Sequence, residues 1–509
     1  MEPPVHPSRP PGSLIRRTNL ESLDYAKPDR SPRTLKGIAQ IITGAVVAFL
    51  SFIRRRIIKP ACAIVAVILV LAVATYLIWV WRADRKLKDE IARLHAAGEP
   101  MSMEEVLPPR LPDSENASPD YQAAGKLIDR DQPFWKKWDE ADAAQREFQP
   151  PFTADEIATM NAIVAAGQPS LEIVKRARGK TPGDWGDQFV RPYMLSKIDY
   201  MAERSLADLL KIAALAAHAA GRDGEALEHI DDMLRLEGAA LKRTMTVAHR
   251  VALNIDRAAS GTICEIAPDL HVGNAGVDSL VVSDLIHRLE DERALQDGRV
   301  LCWRSERISM LDAYISASDG TFGAAKRSWQ EYLLKPAFLD DARLMLIHLR
   351  GIEQASSSPD WPLAERRMPT ALPKAIDAHP HLYVLSSITL PSLEYTMLQD
   401  YRALADRHLS VAALAVRLYA IDHDGRLPAK LDDLVPAYLP AVPVDPFSGR
   451  PILYKSDSVR PRIYSIGEDG VDDGGVEQDP SLGRGKFGSN GDVVVNLKIQ
   501  PRPVDVESN

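Results

Sequence analysis

From Ala61 to Trp81 the chain runs for 21 residues without a charge, rich in Ile, Val, Leu and Ala. As a helix this run is about 30 Å long, the thickness of a bilayer core, and it predicts a transmembrane helix over 60–81. Tyr76, Trp79 and Trp81 cluster at one end, where an aromatic belt belongs. Arg54, Arg55, Arg56 and Lys59 flank the other end, which places that side in the cytoplasm. A weaker apolar stretch, Gly37 to Phe52, contains Gln40 and Thr43. It lies at the membrane interface or pairs with the first run as a hairpin. In both arrangements the basic loop Arg54–Lys59 stays inside and residues 82–509 are exported. A cleaved signal would need a basic lead far longer than such signals carry, so the run is read as an anchor.

Beyond the anchor, Arg82 to Ala97 is charged with helical spacing at Leu87, Ile91 and Leu94. Gly98 to Pro119 holds five prolines and reads as a linker. From Tyr121 onward the pattern is helical. The clearest pair is Ser205–Ala220 and Glu225–Leu236, with Leu206, Leu209, Leu210 and Ala213 on one face and Leu227, Ile230 and Leu234 on the other. Gly221-Arg222-Asp223-Gly224 separates them. Further helical stretches are Val281–Gln296, Cys302–Ile315, Phe338–Gln354 and Leu393–Ile421. The first pair looks like one tetratricopeptide-type hairpin, but no second copy follows at a 34-residue period, so a plain helical domain is expected. Past Gly425, prolines at 428, 436, 440, 443, 446 and 451 precede three short β-type runs, Ile452–Tyr454, Arg462–Ser465 and Val493–Val495. These predict a small antiparallel sheet. The fold class is therefore mainly α, with one transmembrane helix, a helical exported body and a small C-terminal α+β domain. The divisions are a disordered cytoplasmic tail (1–36), an interfacial or second apolar segment with the basic loop (37–59), the anchor (60–81), a stalk and linker (82–120), a helical domain (121–392) and the C-terminal domain (393–509).

Charge sharpens the topology. Residues 1–81 carry 11 Lys and Arg against 4 Asp and Glu, a charge of +7, while the remainder carries −15 of the total −8. A basic head and an acidic body on either side of an apolar run suggest a membrane between them. The acidic body argues against a nucleic-acid partner. Three cysteines exclude a disulfide scaffold and a four-cysteine zinc site. Cys62 lies in the apolar run; Cys264 and Cys302 lie in the exported body, where a bridge can persist, and spacing leaves the pairing open.

Candidate chemistry is sparse. Gly483-x-Gly485-x-x-Gly488 matches a dinucleotide fingerprint by letter but follows no strand and opens no helix. Asp377-x-His379-x-His381 could offer three metal ligands, yet Pro373 and Pro380 mark a surface loop. Zinc-protease and serine-hydrolase signatures are absent. Trp135 and Trp138, beside Lys136 and Lys137, read as core aromatics with snorkelled lysines. No catalytic residue and no reaction are assigned.

One resemblance rests on particular residues. Leu418–Pro428, Leu431–Pro436, Tyr438-Leu439-Pro440, Val444–Phe447 and Tyr464–Gly470 follow in an order that resembles the globular end of the major pseudopilin of type II secretion systems. There a helix delivers the chain into a small sheet and a calcium-binding loop. The resemblance implies calcium held by the carbonyls of Ile466 and Val471 and the carboxylates of Asp469 and Asp492, with Asp472 and Asp473 as additional ligands. A pseudopilin carries a glutamate early in its apolar helix, and the run here holds no acid. The helical body behind an anchor is similar to large envelope proteins of planctomycete-type bacteria, which implies place and architecture but no reaction. The expected role is a membrane-anchored envelope protein, structural or binding protein partners, on the periplasmic or outer face of the cytoplasmic membrane. The alternatives are a component of a secretion or pilus-like assembly and a periplasmic hydrolase of unknown substrate.

Overall fold

Between Ile53 and Lys59 the chain offers no glycine or asparagine to turn on, and three arginines favour helix. The computed structural model, which describes residues 32–143, 148–273, 276–321, 332–457, 459–476 and 491–499, keeps this stretch helical. Helix α1 (Pro32–Ile53) passes through a π turn, Arg54–Ile58, into α2 (Lys59–Ala96). Pro60 explains the wide turn. It has no N–H for the carbonyl one turn back and its ring crowds that carbonyl, so the ladder shifts register and Lys59 N–H reaches Arg54 O instead. The segment expected as a basic loop is thus a helical turn, and a tight hairpin of two apolar runs does not form. Among the described residues one helix, Lys36–Ala96, is long and apolar enough to cross a membrane, and its most apolar window is wholly unburied. The chain divides into two compact units, Met1–Leu77 and Ile78–Asn509.

The second unit is mainly helical. Helices α3 (Ser118–Lys126), α4 (Pro133–Ala143), α5 (Ala154–Ala177), α6 (Met201–Ala219), α7 (Asp223–Ala240) and α8 (Thr246–Ile266) pack in succession. Thr153 and Glu156 start α5 with a reciprocal capping box. Gly125 on α3 permits the closest approach in this group, because a Cβ there would lie 2.1 Å from the Ala202 carbonyl oxygen on α6. Trp135 and Trp138 are core residues. Helices α9 (Ser279–Glu290) and α10 (Arg293–Asp319) break at Asp291, dividing what the periodicity joins as Val281–Gln296. They are followed by α11 (Lys335–Ser356), α12 (Trp361–Arg367), α13 (Ala371–Ala378) and the 39-residue α14 (Val384–Asp422). The segment read as stalk and linker belongs to this body. Ala83, Leu87, Leu94 and Met103 are buried, Glu99 lies 2.8 Å from Arg307, and Ala117 N–H donates to the Thr181 carbonyl.

Asp424 and Gly425, both at positive φ, end α14, and Gly425 N–H returns to the Ala420 carbonyl at 2.7 Å. Tyr419 stacks on His423 at 3.8 Å, and Tyr438 O–H donates to Asp422, so the helix-to-sheet joint is tied on both sides. Strand β1 (Val444–Asp445) pairs antiparallel with β2 (Arg450–Pro451). Strands β3 (Leu453–Lys455), β4 (Arg462–Ser465) and β5 (Val493–Asn496) form an antiparallel sheet in that order, with Leu453 opposite Tyr464 and Ser465 opposite Val493. Helix α14 packs on β1, β4 and β5.

Candidate functional site

The acidic loop starts at β4 and closes at β5. Its base is Asp445, fully buried, whose carboxylate accepts from the Ser465 hydroxyl at 2.6 Å, Ile466 N–H at 3.2 Å and Phe447 N–H at 3.0 Å. Asp492, at the far end, accepts from the N–H groups of Asp473, Gly475 and Val476 at 3.3, 2.6 and 3.3 Å. Burial pushes its carboxyl above the usual range, although those three donors work against the shift. Asp469 accepts from Val471 N–H and Gly491 N–H, and Asp472 from Gly474 N–H. Asp473 and Val471 are exposed.

The resemblance implies calcium at this loop, whose carboxylates accept from backbone N–H groups in the structure. The ion needs six to eight oxygens converging on one point. No group of three Asp, Glu, His or Cys side chains gathers for a metal among the described residues. The continuation of the loop, 477–490, and with it Gly483, Gly485 and Gly488, lies outside them. Asp377, His379 and His381 are exposed, with the two imidazole centres 6.3 Å apart. Cys264 and Cys302 are free thiols, each pushed well above its ordinary pKa by burial.

A concentration of buried charge lies elsewhere, between α8 and α14. His249 Nε2 is 2.8 Å from Asp400, and Arg407 donates to Asp256 through Nε at 2.9 Å and Nη2 at 2.5 Å. Both pairs span 151 residues in sequence, so the two helices run parallel at one register. Glu237 of α7 lies 3.6 Å from Arg407, and burial pushes its carboxyl above the usual range against the pull of that guanidinium. Its Oε1 has no hydrogen-bond partner.

Arg407 also lines a cavity of about 450 Å³ with Arg178, Lys180, Arg235, Arg288, Tyr121 and Glu237. Arg178 grips Asp232 with two bonds of 2.8 and 2.7 Å, and Lys180 lies 2.6 Å from Asp120. Arg235 and Arg288 share the single carboxylate of Asp231. None of these acids lines the cavity, whose acidic lining residues are Glu237 and Asp291. A second cavity of about 340 Å³ lies between α8, α14 and β5, beside Cys264, Asp406 and Asp492.

A histidine–carboxylate chain joins the α6–α7 turn to the end of α8. His218 Nδ1 is 2.6 Å from Asp223 and Nε2 is 3.1 Å from Asp269, while His271 Nδ1 is 2.9 Å from Asp223. Burial opposes charge on His218, but its bonds to Asp269 and Asp223 outweigh it and raise its pKa. Motif spacing does not reveal this cluster or the cavity, since their residues come from separate helices. The legible signal is the placement of Asp400 and Arg407 seven residues apart within an apolar seam. No protein-family model matches the chain, and no curated protein or solved structure matches it either.

Proposed function

We propose that this chain is a membrane-anchored protein of the cell envelope whose exported body binds partners. The observation that carries the reading is the Lys36–Ala96 helix, whose most apolar window buries none of its surface in protein. Side chains such as Ile41, Val70 and Trp81 would be costly to hydrate at that density, and a bilayer removes the cost. The arginines at 54–56 support an N-terminus in the cytoplasm and a body on the outer side. A reporter that is active only after export, fused after Asn509, should work, and alkaline carbonate should leave the chain in the membrane pellet. Activity of a cytoplasm-only reporter at the same position would reverse the orientation.

A second reading, a component of a secretion or pilus-like assembly, is favoured by one feature. A long helix, α14, delivers the chain into a three-stranded antiparallel sheet, the order that supports the pseudopilin resemblance. Cross-linking in native membranes followed by affinity capture separates the two. Recovery of secretion-system subunits selects the assembly; their absence among captured envelope proteins selects the general binding role.

A further inference from the structure

We propose that the cation-lined cavity of the helical body binds a small molecule through a phosphate group, with Arg235 and Arg288 as its principal ligands. The first argument is orientation. Five cationic side chains line the cavity against two acids, Glu237 and Asp291, and the carboxylates bonded to Arg178, Lys180, Arg235 and Arg288 are not among its lining residues.

The second argument is stoichiometry. Arg235 and Arg288 divide one carboxylate, Asp231, between them, so two guanidinium groups have one direct carboxylate partner. Both are about one-third exposed or more, so their remaining N–H groups can reach a ligand. Burial, and after it the charge of Arg407, lowers the pKa of Arg288, and a bound anion would relieve that repulsion. The third is an unused donor. Glu237, only 3% exposed, has an oxygen with no hydrogen-bond partner, and in its protonated form it offers a hydrogen to an oxyanion.

The ligand class follows from the arrangement. The cations come from four separate parts of the fold: Arg178 and Lys180 after α5, Arg235 on α7, Arg288 on α9 and Arg407 on α14. A planar carboxylate suits one arginine fork, whereas a tetrahedral oxyanion presents oxygens in several directions and matches donors arriving from several elements. A cavity of about 450 Å³ holds a phosphate and a short organic remainder. The shared chemistry is a phosphomonoester, free or as a lipid headgroup.

The test is calorimetric titration of the full chain in detergent with inorganic phosphate, glycerol phosphate, short-chain phosphatidic acid and citrate. Saturable binding of phosphate and glycerol phosphate is expected, weakened about tenfold or more by Arg235→Gln or Arg288→Gln. Arg288→Lys should retain more affinity than Arg288→Gln. Arg222→Gln, an exposed charge paired with Glu225, should change nothing. Glycerol phosphate binding without phosphatidic acid assigns a free metabolite, and the reverse assigns a lipid headgroup. Absence of saturable phosphate binding by a chain that still melts cooperatively overturns the proposal. So does citrate binding alone, or equal affinity in the glutamine variants.

Discussion

Asp341 illustrates how a single buried group sets pH dependence. It is fully buried on α11, its carboxylate accepts from the Ser386 hydroxyl, and that hydroxyl is 2.6 Å from Tyr314 O–H. Burial drives its carboxyl up to about 7, with Ser386 working in the opposite direction. Below the ordinary value of 3.8 folded and unfolded chains both hold the proton. As pH rises from there, the unfolded chain releases it and the folded chain does not, so stability is lost progressively until the folded group also ionises near 7. The loss amounts to roughly 4 kcal/mol for a shift of this size. Asp341→Asn keeps the shape without the charge. Urea melts at about pH 5 and about pH 8 should show the variant gaining on wild type at the higher pH. An equal difference at both values would mean that Asp341 is ionised in the fold. His218 has the same sign. Its raised pKa means that the clamp on Asp223 and Asp269 is strongest when the ring is charged and weakens as pH rises through that value.

At the scale of elements, the parallel pairing of α8 with α14 is the feature that local rules do not explain. Leu393, Met397, Asp400, Leu404, Arg407, Val411, Leu414 and Leu418 alternate at spacings of four and three and are all buried. Two charges therefore stand in an apolar seam, answered by His249 and Asp256 at the matching positions of α8. Apolar side chains tolerate a shift of one turn along such a seam, whereas a displaced Arg407 would face no acid, so the pairs specify register. Arg407→Met alone should cost about 3–5 kcal/mol, because Asp256 is left buried without a counter-charge. Arg407→Met with Asp256→Leu should recover most of that loss. Chemical denaturation of both variants measures the coupling. Equal destabilisation in the single and double variants would mean that the volume at this site, and not the charge pair, carries the energy.

For the whole molecule, the boundary that matters is where the helical body begins. Leu87 and Leu94 of α2 and Met103 beyond it are core residues, and Arg307 takes Glu99 as a partner. A chain starting at Arg82 should be soluble without detergent and melt in one transition. One starting at Ser118 loses those three side chains, each worth about 2–5 kcal/mol when truncated in a core, and should unfold at markedly lower temperature or aggregate. Comparable melting of the two truncations would show that residues 82–117 are a tether after all.

The apolar helix, the helical body and the three short strands are legible in the sequence because each depends on local pattern. A 21-residue run without charge, apolar positions three and four apart, and β-branched runs between prolines need no knowledge of neighbours. The Arg54–Lys59 turn and the 98–119 segment are not legible in this way. Proline-rich composition signals a loop whether the chain stands free or is held by Thr181 and Gly183, and arginines signal a boundary whether or not the helix continues. The acidic loop is legible as Asp and Gly letters, but which way its carboxylates face is decided by backbone N–H groups that only the folded turn orients. The cation-lined cavity is the furthest from sequence. Its residues are up to 286 positions apart from Tyr121 to Arg407, and Arg288 reaches the aspartate that Arg235 already holds only where α9 packs beside α7. Pattern along a chain determines which faces are buried; where the buried charges meet is a property of register and packing between helices.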